Sequence, residues 1–245
     1  MKQHEAVILA IEKLGGVATL GQLYKEVFKI IDCKWGTKTP FASIRRIVQQ
    51  RPEVFKIKPG LYGLTSKRAE LESKGWVVQN EKNMDSDEIK KSDHTYYQGL
   101  LLMLGKMKGF NCWSPNQDRR KLFIDKPLET LRTLQTMPGF SYPHIVKRSE
   151  TVDVIWFNQR QMPGSLFEIE HSTDIQNSLL KFNDLQDFNT RMLIVANSKR
   201  EKEFESKIHY SSFQDIAKRV EFLSFDWLVK QYEHAVETGQ QKTTL

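Results

Sequence analysis

Residues 151–173 read TVDVIWFNQRQMPGSLFEIEHST, and this stretch decides the fold. Thr151–Phe157 and Leu166–Glu170 are rich in Val, Ile, Phe and Trp. The intervening residues, 158–164, end in the turn pair Pro163-Gly164, so the spacing predicts two adjacent strands joined by a loop. Acids are depleted from apolar strand interiors, because an unpaired buried charge is expensive. Three nevertheless stand here: Asp153, Glu168 and Glu170. The two-residue spacing places Glu168 and Glu170 on one face, about 6.5 Å apart along the strand, with Phe167 and Ile169 on the other. If the two strands pair, Asp153 lies beside the glutamates. Three clustered carboxylates repel one another unless a cation neutralises them, and hard oxygen ligands suit Mg²⁺. Phosphodiester hydrolysis is the chemistry that uses such a group. The competing reading is a solvated sheet face with ordinary surface acids.

Working outward, Asp174 to Phe188 has an amphipathic period through Ile175, Leu179, Phe182 and Leu185. Ser172 or Thr173 is placed to cap this helix. Met192–Ala196 is an apolar run suited to a central strand, Glu221–Ser224 is a further strand, and Asp226 to about Val236 is a last helix. Upstream, Tyr97, Leu100, Leu101, Leu104 and Met107 repeat at helical spacing. Phe110–Trp113 reads as a strand and Pro127 to about Met137 as a helix. Phe182, Phe188, Phe222 and Trp227 are expected in the core. The order implies an α/β domain over 93–238, a central mixed sheet flanked by helices, with a polar tail at 239–245.

The chain's 37 Lys and Arg exceed its 30 Asp and Glu, for a net of +7. Residues 1–65 hold eleven of the basic residues and five of the acids, a local +6, so nearly all the surplus lies in the first quarter. Such asymmetry points to a polyanionic partner for this part, against the alternative of a merely soluble basic face. Helices are predicted at His4–Leu14, ended by Gly15-Gly16, at Thr19 to about Ile31, and from Thr39-Pro40, with Thr as cap and Pro in the first turn. Phe41, Ile44, Ile47 and Val48 give the third helix its buried stripe. Val54–Ile57, the turn Pro59-Gly60 and Leu61–Leu64 complete a small hairpin. Three helices and a hairpin over 1–66 is the order of a winged helix, whose third helix enters the major groove. Lys38, Thr39, Arg45, Arg46 and Gln49 are its candidate DNA contacts. A winged helix used for protein contacts is the alternative. Residues 67–92 are charged and weakly periodic, as in a linker, with a short helix at 67–74.

The first 65 residues resemble the HARE-HTH family of winged helices. The resemblance is carried by Ala10-Ile11, Gly15-Gly16, Leu23-Tyr24, Trp35, Thr39-Pro40 and the ending Phe55-x-x-x-x-Gly60-x-Tyr62-x-Leu64. It implies a module linking an effector domain to DNA. Residues 94–225 resemble the PD-(D/E)xK nucleases, restriction-endonuclease-like members in particular. That resemblance rests on Val152–Trp156, Phe167–Thr173, the helix around Leu179–Phe188 and Met192–Ala196. It implies Asp153 and Glu168 as metal ligands and Mg²⁺ as cofactor. Glu170 falls where the family's lysine stands, and Val152 replaces the proline before the first acid. The third catalytic role is left to Glu170 or to Lys181 on the following helix. Gln98 lies where many relatives place an acid, and His171 points away from the carboxylate face.

The leading expectation is a Mg²⁺-dependent endonuclease of double-stranded DNA, a restriction or defence enzyme, cytoplasmic, with a homodimer favoured for cutting two strands. A DNA-binding regulator with an inactive nuclease-like domain is the alternative. An RNA-processing protein is a third reading, without an RRM or KH pattern to support it. No apolar run approaches the roughly 20 residues that span a bilayer. Cys33 and Cys112 stand alone, which argues against a disulfide framework or structural zinc.

Overall fold

A computed structural model describes residues 1–76, 86–171 and 174–243. The chain divides into two compact units, one comprising Met1–Ile89 with Val229–Leu245, the other Lys90–Leu228.

In the first unit, α1 (Gln3–Lys13) buries Ala6, Val7, Ala10 and Ile11. Gly15 and Gly16 end it, at φ +85° and +93°, a backbone region that side-chain-bearing residues avoid. After β1 (Val17–Thr19) comes α2 (Leu20–Glu26). Thr19 Oγ1 accepts from the Gln22 N–H at 3.0 Å and Gln22 Oε1 accepts from the Thr19 N–H at 2.8 Å, a reciprocal cap. The predicted continuation to Ile31 is cut short: one 3₁₀ turn follows, and Ile31 is 94% exposed. α3 (Pro40–Gln50) buries the expected Phe41, Ile44, Ile47 and Val48. Thr39 sits at its N-cap position, yet its side chain makes no capping bond. β2 (Val54–Lys58) and β3 (Leu61–Leu64) pair antiparallel, and β3 lies between β1 and β2. α4 (Arg68–Ser73) then buries Leu71.

The second unit is built on a five-stranded sheet. Into it leads α5 (Asp87–Met107), burying Tyr97, Leu100, Leu101 and Leu104. β4 (Asn111–Trp113) follows, then a two-stranded ribbon of β5 (Leu122–Phe123) and β6 (Lys126–Pro127), then α6 (Leu128–Leu131) and α7 (Pro143–Ser149). β7 (Val154–Phe157), β8 (Pro163–Glu170), α8 (Ile175–Asn183), β9 (Arg191–Ala196), α9 (Glu201–Ile208) and β10 (Val220–Ser224) complete the core, before α10 (Phe225–Thr243). The sheet order is β10-β9-β8-β7-β4. β4, β7 and β8 run antiparallel to their neighbours in turn, while β8, β9 and β10 are parallel. Parallel neighbours need crossovers, which α8 and α9 supply. Met192–Ala196 is buried throughout, as a strand covered on both faces must be. Ile155, Phe157, Leu166, Leu179, Phe182 and Ile194 meet in one core cluster.

Several expectations are corrected. The first strand of the opening stretch begins at Val154, so Thr151, Val152 and Asp153 form the bend that leads into it. The helix expected over 127–137 is only Leu128–Leu131, because Arg132 leaves the helix to bond backbone carbonyls of Leu134 and Gln135. Asp174, not Ser172 or Thr173, caps α8, accepting from the Gln176 N–H at 2.9 Å; Ser172 and Thr173 lie outside the described residues. Trp227 is 42% exposed rather than core. The last helix does not end near Val236 to leave a polar tail. From Val229 onward it clusters with the first unit, where Tyr232 is buried and stands so close to Gly21 that a Cβ there would meet its ring. The charged stretch 67–92 contains α4 and the start of α5, and residues 77–85 lie outside the described residues.

Candidate active site

The antiparallel register pairs Val154 with Phe167, and its extension sets Asp153 opposite Glu168. Glu168 and Glu170 share the face of β8 that looks onto α8, as the spacing requires, and are 2% and 4% exposed. From α8, Ser178 and Lys181 stand one turn apart and both reach this face. Lys181 Nζ donates to Glu168 Oε2 at 2.8 Å and to the Thr151 carbonyl at 3.0 Å. Ser178 Oγ lies between the two glutamates, 3.2 Å from Glu168 Oε2 and in close contact with Glu170 Oε1. Arg200, just before α9, has NH1 3.7 Å from Glu170 Oε2.

Asp153 is fixed from three directions. Its Oδ2 accepts from the Ile169 N–H at 2.8 Å, and His94 Nε2 lies 3.5 Å from Oδ1. Gln98, fully buried on α5, donates from Nε2 to the Asp153 carbonyl at 2.9 Å and to Asp118 Oδ2 at 3.1 Å. Gln98 therefore does face the acids, one turn along α5 from His94. His171 packs on the opposite face of β8, its ring 4.9 Å from that of Phe225 and 6.1 Å from that of Tyr97.

The electrostatics follow from burial and crowding. Burial, then the charge of Asp153, push the Glu168 carboxyl well above its ordinary range, against the pull of Lys181. Burial also works against Asp153, but the His94 hydrogen bond and charge, with Lys181 and the Ile169 N–H, bring it below the ordinary value. Lys181 is lowered by burial and raised by Glu168 and Asp153, with a net rise. An ammonium thus supplies the counter-charge that the sequence assigned to a metal. Among the described residues, no three His, Cys, Asp or Glu side chains are gathered closely enough to hold a metal ion. Glu168 Oε1 is nevertheless buried without a hydrogen-bond partner, and an oxygen left so is a ready ligand for a hard cation. In donor chemistry the residues fit Mg²⁺.

Sequence reasoning missed His94, Asp118, Ser178 and Arg200. Two had a legible signal: His94 precedes Gln98 by four residues, and Ser178 precedes Lys181 by three, so each pair shares a helix face. In the first unit Lys38, Thr39, Arg46 and Gln49 are exposed. Arg45 is not free beside Arg46. Its NH2 is 4.0 Å from Glu233 Oε2 on the last helix, and burial pushes that carboxyl up to about 7.

The profile of the family described as the Type II restriction enzyme NmeDI C-terminal domain matches residues 70–241. The chain belongs to this family. The match takes in the whole five-stranded sheet and every residue of the carboxylate site. Type II restriction enzyme NmeDI of Neisseria meningitidis serogroup C is 29% identical over 126 residues, covering 47% of this chain and 36% of that protein. The chain thus aligns with little more than a third of that relative's length. No solved structure matches.

Proposed function

We infer that this member of the NmeDI C-terminal family is a Mg²⁺-dependent endonuclease that hydrolyses double-stranded DNA, with a restriction or defence role. The observation that carries the reading is the buried pair Glu168 and Glu170 with the half-buried Asp153 beside them and Lys181 donating to Glu168. Burying two glutamates and most of an aspartate is costly, and desolvated carboxylates of shifted pKa cluster at functional sites. Asp153 and Glu168 would hold the metal, which supplies Lewis-acid polarisation of the phosphoryl oxygen and a more acidic bound water.

The chain's own groups have separable tasks. His94 and the Ile169 N–H hold Asp153 in one rotamer, and Gln98 fixes the backbone beneath it. Ser178 and Arg200 hold Glu170 facing the same side as Glu168, where it orients the attacking water as an acceptor. Lys181 offsets charge building on the phosphate oxygens as the bond to the leaving oxygen breaks. The first unit, three helices with a hairpin and exposed Lys38, Thr39, Arg46 and Gln49, serves as a winged-helix DNA reader. Cutting both strands with one site per chain favours a homodimer.

The test is incubation of the full chain with modified and unmodified duplex DNA, with Mg²⁺ or with EDTA. Cutting only with Mg²⁺ is expected. Tight binding with no cutting under any of these conditions would overturn the reading in favour of a DNA-binding regulator with an inactive nuclease-like domain.

A further inference from the structure

Beside Asp153 lies a cavity of about 300 Å³, lined by Lys90, Lys91, His94, Gln117, Lys121 and Asp153, with Asp118, Ile169 and His171 completing its wall and Lys181 not part of it. None of its basic residues has a task in the scheme above except His94. Its negative charges are already matched. Asp118 Oδ1 is 2.5 Å from Lys121 Nζ, and its Oδ2 accepts from Gln98. Asp153 is paired with His94. Among the described residues Lys90 and Lys91, on successive positions of α5, have no ion-pair partner and add positive charge to the lining, Lys91 exposed and Lys90 half-buried. Arg119 and Arg120, in the turn before the adjoining ribbon, and Lys126 on β6 are exposed and outnumber the one exposed acid of the ribbon's turn, Asp125. The ribbon is seated firmly: a Cβ at Gly99 of α5 would overlap the Phe123 ring, so helix and ribbon meet at closest approach.

We propose that this cavity is a binding site for a backbone phosphate of the DNA strand, next to the one that is cut. The proposal rests on the endonuclease reading and names residues it does not use. The volume, about ten times that of a liquid water molecule, holds a phosphodiester group with some of its solvent. Lys90 and Lys91 supply point charges, and Gln117 supplies amide donors. Gln98 joins the cavity to the cutting centre, because one amide nitrogen touches both Asp118 and the Asp153 carbonyl. A phosphate held here fixes where the neighbouring phosphodiester stands relative to Asp153, which is positioning by the strand's own backbone.

Binding of a short fluorescein-labelled duplex to the full chain, in EDTA and across a salt series, tests this. Neither lysine is an ion-pair partner among the described residues, so Lys90→Ala/Lys91→Ala leaves the fold intact. Its affinity at low salt should fall about tenfold, and the salt slope should flatten by about one, since the one lost phosphate contact removes roughly 0.9. Lys202→Ala/Lys218→Ala deletes the same charge from exposed positions elsewhere on this unit and should change little. If both pairs weaken binding alike, or neither does, the cavity is not a phosphate site, and the endonuclease reading stands. If the unaltered chain binds no duplex even at low salt, the endonuclease reading fails and this site with it.

Discussion

Replacing Lys181 by Met should destabilise the second unit by about 3 kcal/mol, and the figure follows from the geometry. At 2.8 Å and an effective dielectric near 20, the Lys181–Glu168 attraction is about 6 kcal/mol before desolvation is subtracted. Removing one member of a buried pair typically costs about 3–5 kcal/mol, because the other charge is stranded. Two features place this pair at the low end. Lys181 keeps 24% of its side chain exposed, and Glu168 is already displaced toward its neutral form, so it can take up a proton. For a unit of this size about 3 kcal/mol lowers Tm by roughly 6–12 °C. Urea unfolding at a pH near 8 measures it. Glu168→Gln added to Lys181→Met should recover much of the loss, since no charge is then stranded. A Lys181→Met protein within about 0.5 kcal/mol of the parent, or a double variant that sums the single effects, would refute the reasoning.

Glu170→Gln should abolish single-turnover cutting if Glu170 orients the water; if it cuts normally while Lys181→Ala does not, Glu170 is a bystander and Lys181, as a cation, fills the third catalytic position. Arg46→Ala should weaken duplex binding and flatten its salt slope by roughly one, whereas Arg45→Ala, removing a cation already beside Glu233, should do so less; equal effects in anisotropy titrations would contradict the assignment. Glu233 lies at about 7 in the folded chain against 4.5 for a free glutamate, so the folded state holds more protons between those values and the first unit loses stability as pH rises through them. At 1.36 kcal/mol per pH unit the ceiling is about 3 kcal/mol, and Glu233→Gln should flatten the difference between urea unfolding at pH near 5 and near 8.

The parts of this structure that were readable are those set by local periodicity. Glu168 and Glu170 had to share a face once Leu166–Glu170 was a strand, and Met192–Ala196 could be little else than a central strand. The Gly15-Gly16 stop and the Pro40 start were equally local. What was not readable depended on distant residues. Nothing near Asp153 announces that His94 reaches it from a helix 59 positions earlier in the chain. Nothing in Asp226–Val236 says that the helix continues to Thr243 and sets Tyr232 and Glu233 against the first unit's Gly21 and Arg45. The carboxylate cluster was expected to take a metal cation as its counter-charge. The chain provides one itself, Lys181, whose long side chain bridges from α8 to the strand below.

The alternative to a cutting centre at Asp153 and Glu168 is a purely structural cluster. Asp153→Asn and Glu168→Gln keep shape and remove charge, so they separate the two. Single-turnover cleavage with Mg²⁺, read beside duplex affinity in EDTA, is the direct measurement. Cutting should fall by at least about a thousandfold in each variant, in the range of lost transition-state charge stabilisation, while affinity stays within about threefold. Either variant cutting at the parent's rate would place the chemistry elsewhere in the chain.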